Sequence, residues 1–158
     1  MEDLVELKEQ GRIRSIGVSN FNRDHLERII SETGQTPVIN QIEPHPRFQQ
    51  RDKREFHAQH DIKIESWSPL GGGRALDDPT LGEIAKKHGR SVAQVVIWWH
   101  LQEGLIAIPK STHRDRTHQN LAVFDFELNA ADLQKVNGLD QPRDGRIASD
   151  PAKAAFLF

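Results

Sequence analysis

The sequence predicts an α/β protein built as half of a (β/α)8 barrel, and three observations carry that expectation. Short apolar strands alternate with helices, which demands right-handed crossovers and a parallel sheet. Four candidate strands in 158 residues are half of the eight that a complete barrel fits into about 250 residues. No Gly-x-Gly-x-x-Gly follows a strand, and Gly71-Gly72-Gly73 has no Lys-Ser or Lys-Thr behind it. An open dinucleotide-binding sheet and a P-loop therefore both lack their fingerprints.

Leu4, Val5 and Leu7 share one face of an opening helix that Gly11 ends, and Ile13, Ile16 and Val18 supply a strand stopping at Ser19-Asn20. Asn22 caps a second helix, with Leu26, Ile29 and Ile30 at helical spacing and Gly34 as a left-handed stop. Residues 37–42 read as the next strand. After Pro44-His45-Pro46, residues 49–60 read as a helix polar on all sides, and residues 62–67 alternate as a third strand. A loop holding Gly71-Gly72-Gly73 leads to a helix with Asp78 as cap and Pro79 at its first position. Ser91 caps a further helix whose Val92, Val95, Val96 and Trp99 face a core before Gly104. Residues 105–108 form the fourth strand. Helices follow over residues 114–121 and, capped by Asn129, over residues 130–136. One partial domain is expected over residues 1–158, a half-barrel to residue 138 and a tail from 139.

Composition excludes several classes. With 21 Lys plus Arg against 23 Asp plus Glu and a net charge of −2, the chain has no global field for nucleic acid or an anionic membrane. Hydrophobic residues at 36% and charged ones at 28% suit a packed core rather than a disordered polyelectrolyte. The absence of cysteine removes disulfides, thiolate nucleophiles and Cys-ligated metals, and fits a reducing cytoplasm. Val95-Val96-Ile97-Trp98-Trp99 falls far short of the roughly 18 apolar residues that span a bilayer. The opening residues lack the pattern of a signal peptide, so a cytoplasmic location is expected.

A barrel of this kind gathers its chemistry at the C-terminal ends of its strands. Ser19 with Asn20, Asn40 with Gln41, Trp67 with Ser68, and Lys110 with Ser111 occupy those ends. Amides and hydroxyls suit a neutral polar ligand, and an indole offers a stacking surface. The bland alternative is that each merely closes its strand. The fourth end is the most chemical: Lys110, Ser111 and Thr112 precede His113, Arg114 and Arg116 at a helix start, a set that would bind a phosphate dianion. A solvated basic turn is the competing reading.

Beyond spacing, three ordered stretches resemble signatures of the aldo-keto reductases. They are Gly11-Arg12-Ile13-Arg14-Ser15-Ile16-Gly17-Val18-Ser19-Asn20-Phe21, Asn40-Gln41-Ile42-Glu43-Pro44-His45-Pro46 and Ile108-Pro109-Lys110-Ser111-Thr112. Trp67-Ser68-Pro69-Leu70-Gly71 and Asp144-Gly145-Arg146 extend the likeness, which is nearest to the bacterial 2,5-diketo-D-gluconate reductase branch. The resemblance implies a TIM barrel that reduces aldehydes and ketones with NADPH, of which this chain supplies strands five to eight with their helices. It implies that Ser19, Asn20 and Gln41 hold the nicotinamide carboxamide and that Trp67 stacks on the ring. Ser68, Leu70 and Gly72 fall at the pyrophosphate channel, Lys110, Ser111, Thr112 and Arg116 at the 2′-phosphate, and Gln119 and Asn120 at the adenine.

The same resemblance implies what is missing. The family protonates the developing alkoxide with a Tyr assisted by Lys, Asp and His from the first half of the barrel, and this chain contains no Tyr. Strands one to four are absent, about 92 residues short of a typical barrel, and Met1 matches an internal position. No catalytic residue is assigned, and the chain alone is expected to be inactive. NADP(H) and a small carbonyl compound are the partners of the complete enzyme. Two unpaired sheet edges add a homodimer, or an N-terminal half-barrel supplied in trans. The alternative reading is a non-catalytic NADP-binding or interaction module, or a truncated gene product.

Three tempting constellations have blander readings. His57 and His60 beside Asp61 have ligand spacing for zinc, yet on a polar helix they read as solvated side chains, and no metal is expected. Glu43, His45 and Glu65 read as a barrel-mouth loop rather than an acid–base trio. Adjacent Trp98 and Trp99 point about 100 degrees apart on a helix, so at least one must leave the core stripe.

Overall fold

The structure, a computed structural model, describes residues 1–153; residues 154–158 of the expected tail lie outside the described residues. The elements run α1 (Glu2–Glu9), β1 (Gly17–Ser19), α2 (Arg23–Thr33), β2 (Ile39–Ile42), α3 (Arg51–Gln59), β3 (Lys63–Ser66), a 3-10 turn (Gly71–Gly73), α4 (Pro79–His88), α5 (Val92–Gln102), β4 (Ile106–Ala107), α6 (Arg114–Leu121) and α7 (Ala130–Asn137). The strands form one parallel sheet in the order β1-β2-β3-β4, the α/β architecture of a half-barrel. Gly17, Val18 and Ser19 lie opposite Ile39, Asn40 and Gln41.

All four strands are shorter than the sequence predicts, three of them for a common reason. The residue expected to open a strand is often spent closing the preceding helix. Arg12, Ile62 and Leu105 donate their N–H groups to the carbonyls of Leu7, His57 and His100, five residues back, and Ile13 also reaches Leu7. Each bond follows a residue of positive φ, namely Gly11 at 71°, Asp61 at 52° and Gly104 at 72°, which is the Schellman arrangement. Arg90 closes α4 onto Ala85 in the same way after Gly89. At β2 the cause is Pro37, which has no N–H to give a ladder.

The described chain divides into two compact units. The first comprises residues 1–42, 50–65 and 149–153; the second comprises residues 43–49 and 66–148. In the first unit Leu26, Phe56 and Ile62 form a buried cluster, with Val18, Phe21 and Ile29 packed on it. In the second, Leu81 and Ile84 of α4, Val95, Val96 and Trp99 of α5, and Val136 of α7 are buried. Trp98 leaves the stripe as expected, with Phe124 and Phe126 each 5.9 Å from its ring centroid.

Helix starts agree with the sequence. Asp78 accepts the N–H groups of Thr80 and Leu81, Ser91 forms a reciprocal box with Gln94, and Asn129 does the same with Asp132. Asp132 also holds Lys87 through both carboxylate oxygens and His88 Nε2, each at 2.8 Å, tying α4 to α7.

One expectation needs correction. Helix α3 is not solvated on all sides: Phe56 and His57 are buried. His57 Nδ1 lies 2.6 Å from the Lys53 carbonyl and Nε2 2.9 Å from Asn40 Nδ2. His60 instead stacks on Phe56 at 4.2 Å. Among the described residues, no three His, Cys, Asp or Glu side chains are placed to hold a metal ion.

Candidate functional site

In the first unit, parallel pairing brings Ser19, Asn20 and Gln41 together. Ser19 lies opposite Gln41, and its hydroxyl donates to the Gln41 carbonyl at 3.2 Å. Asn20 has left the strand, with φ at 58°. Its N–H donates to that same carbonyl at 2.8 Å, while Nδ2 donates to Ser19 Oγ at 3.2 Å. Asn is among the few residues that take this left-handed backbone readily. The Gln41 side chain donates through Nε2 to Glu65, which fixes the orientation of its amide.

Beneath them Asn40 is fully buried. Its Nδ2 donates to the Phe21 carbonyl at 2.9 Å and its Oδ1 accepts the Phe21 N–H at 3.3 Å. Asn40 and His57 thus anchor the backbone that presents Ser19, Asn20 and Gln41. Since His57 Nδ1 must donate to a carbonyl, Nε2 must accept from Asn40, and the ring is the neutral tautomer. Burial pushes its pKa below the ordinary histidine value; the Lys53 carbonyl works the other way, while the Lys53 and His60 charges add to the lowering.

In the second unit, Leu70, Lys110, Ser111, Thr112, Arg116, Gln119 and Asn120 line one groove of about 690 Å³. Lys110, Thr112, Arg116 and Gln119 are exposed, and Ser111 and Asn120 are half-buried. Ser111 Oγ accepts the His113 N–H at 3.1 Å, which turns the chain into α6. The groove thus sets a lysine, a guanidinium, two hydroxyls and two amides along one surface, groups that can hold an anion.

Sequence reasoning missed its other wall, Leu76 and the start of α5 at Ser91, Val92 and Ala93. Ser91 is legible only as a helix cap, and Val92 and Ala93 carry no chemistry to mark them. His113 also lines the groove, whereas Arg114 does not. Trp67, Ser68 and Gly72 lie on the segment leading to and past Leu70 but do not line it. Trp67 is half-buried and Ser68 is exposed, with φ at 47°. The turn beyond is closed by Gly71 N–H to Ser68 O at 2.8 Å and Gly73 N–H to Leu70 O at 3.0 Å.

A parallel α/β half-barrel with polar groups at its strand ends defines a class, and sequence comparison places the chain in it. The chain belongs to the aldo/keto reductase family, whose profile matches residues 1–141. An aldo-keto reductase of Mycolicibacterium smegmatis is 49% identical over 152 residues, covering 96% of this chain and 54% of the relative. Methylglyoxal reductase DkgA of Escherichia coli is 47% identical over 150 residues, covering 94% and 54%. Among solved structures, a Gox0644 mutant in complex with NADPH superposes with a TM-score of 0.96 at 57% identity, over 98% of this chain and 57% of that one. The chain spans about half the length of the curated relatives it matches.

Proposed function

We propose that this chain is the NADP(H)-holding half of an aldo-keto reductase, and that its 158 residues do not reduce carbonyl compounds unaided. The carrying observation is the groove that assembles Lys110, Ser111, Thr112 and Arg116 with Gln119 and Asn120, the donor set for a 2′-phosphate and its adenine. When bound, NADPH would supply the hydride. Ser19, Asn20 and Gln41 would orient the carboxamide, Trp67 would stack on the nicotinamide, and Ser68, Leu70 and Gly72 would border the pyrophosphate. Support comes from the NADPH complex of the Gox0644 mutant.

The second half of the reading rests on absent chemistry. Reduction needs a proton for the alkoxide, and general acid catalysis supplies about 10² to 10⁴ in rate; with no Tyr in the chain, this reading leaves it no acid of the family's kind. A small carbonyl compound would be the substrate of the complete enzyme, on the side of the methylglyoxal and 2,5-diketo-D-gluconate reductases. A second copy or an N-terminal half-barrel would cover the sheet edges. A chain without cysteine suits the cytoplasm.

Calorimetric titration with NADPH, followed by an assay of NADPH oxidation with methylglyoxal, tests both halves of this reading. Saturable one-site binding without turnover is expected. Absence of binding, or steady turnover abolished by Trp67→Ala, would overturn it.

A further inference from the structure

Glu43 is left without a task by the cofactor site, yet it is one of the most buried charges in the chain, 1% exposed. Its Oε1 accepts the N–H of Ile147 at 2.6 Å and its Oε2 that of Ala148 at 3.3 Å. These donors lie more than a hundred residues further along. His45 is also buried, with Nε2 3.4 Å from Glu43 Oε1. Burial alone would raise the pKa of this carboxylate; His45 and the two amides outweigh it and hold the pKa below the ordinary value. Replacing buried ionic groups by apolar ones is often neutral or stabilising, so a buried carboxylate aimed at two backbone amides calls for a geometric explanation.

The surroundings supply one. Gly71, Gly72 and Gly73 all have positive φ, at 60°, 62° and 94°. Their backbone is freer to rearrange than that of any other residue, so beyond its own backbone bonds the turn depends on the side chains packed around it. A Cβ on Gly71 would lie 3.4 Å from the His45 ring, and one on Gly72 would lie 3.4 Å from Ile147 Cδ1. The glycine turn is therefore flanked by two of the residues that Glu43 touches, His45 and Ile147. The segment bearing Ile147 is seated on the 43–49 loop. Gln141 N–H donates to the Arg47 carbonyl at 2.9 Å, and the Arg146 guanidinium lies 4.6 Å from the Phe48 ring centroid. Gly145 packs so closely that a Cβ there would run into the Arg47 carbonyl oxygen.

We propose that Glu43 is a positioning residue for dinucleotide binding: its carboxylate ties the backbone at Ile147 and Ala148 beside the Gly71–Gly73 turn and holds that turn in the form that receives a pyrophosphate. The inference rests on the cofactor reading above and adds a residue to it. Glu43 does not line the groove. It acts through Ile147 and His45 on a glycine turn whose backbone is unusually free to change shape. Protonating the carboxylate, or replacing one oxygen by an NH2 group, sets a donor against an amide donor and frees the segment.

The test compares two ligands in the full chain: NADPH, which needs both the turn and the groove, and adenosine 2′-monophosphate, which needs only the groove. Glu43→Gln is expected to raise the Kd for NADPH about tenfold and to leave that for adenosine 2′-monophosphate within twofold. Ile147→Ala is expected to show the same selective loss, and it decides the matter if Glu43→Gln does not fold. Amide hydrogen exchange in the nucleotide-free protein should quicken both at Ile147 and Ala148 and over residues 71–74.

Equal weakening of both ligands, unchanged NADPH affinity, or faster exchange confined to Ile147 and Ala148 would each overturn the proposal. If the wild-type chain binds neither ligand, the cofactor reading fails, and the exchange rates alone still decide whether Glu43 holds the turn.

Discussion

Lys110 and Arg116 carry the fixed positive charge of the groove. Charge-assisted hydrogen bonds contribute about 1.5 to 3 kcal/mol each, so the chain should favour NADPH over NADH by tenfold or better. Arg116→Ala should cut that ratio about tenfold without touching NADH affinity, as measured by parallel titrations at one salt concentration. His57 yields a prediction of opposite character. Its pKa in the folded chain is lowered, so above the ordinary value of about 6.5 neither folded nor unfolded chain takes the proton. As pH falls below that value, the unfolded chain binds a proton that the folded one refuses, and stability drops until the folded pKa is reached. Urea unfolding should show a loss of up to about 1.4 kcal/mol between pH 7.5 and 5.5 that His57→Gln lacks. Ser19 and Gln41 stand out in the sequence because they are polar and close predicted strands, and the structure sets them opposite each other. The burial of His57 was not legible, because its partner Asn40 arrives through folding from 17 residues away.

Elements were legible where their signals are local. Asn22, Asp78, Ser91 and Asn129 stand at the starts of their helices as read, since a cap acts within one turn. Strand beginnings were misplaced because an apolar residue looks the same whether it opens a strand or closes a helix. Asp61 shows the limit most clearly: it takes the left-handed position that glycine fills elsewhere, and composition gave no sign of it. The Asp132 clasp was equally hidden, because Lys87 and His88 lie on a different helix. Asp132 has its pKa lowered; burial raises it, but Lys87, His88 and the Asn129 cap prevail. Asp132→Ala should destabilise the chain by about 2 kcal/mol through the lost cap and the stranded cations, as a fall in thermal midpoint.

At the scale of the whole molecule, the second unit exposes a row of apolar groups. Ile106 is 42% exposed, Ile108 41%, Leu121 69% and Phe124 73%, and a largely apolar groove of about 490 Å³ runs between α5, β4 and α6. An apolar surface beside an unpaired strand edge favours association. The 158-residue chain should therefore sediment as a dimer or larger species at tens of micromolar, and the double variant Leu121→Glu, Phe124→Glu should shift it toward monomer. A wild-type monomer would refute the partner proposal.

Backbone amide chemical shifts recorded during an NADPH titration read out the proposed NADP(H) site whether or not the chain turns the nucleotide over. Saturable shifts are expected over residues 110–120, at Leu70 and Gly72, and at Ser19, Asn20 and Gln41, with those over 110–120 reproduced by adenosine 2′-monophosphate. Saturable shifts elsewhere, or none at millimolar NADPH in a folded chain, would contradict it.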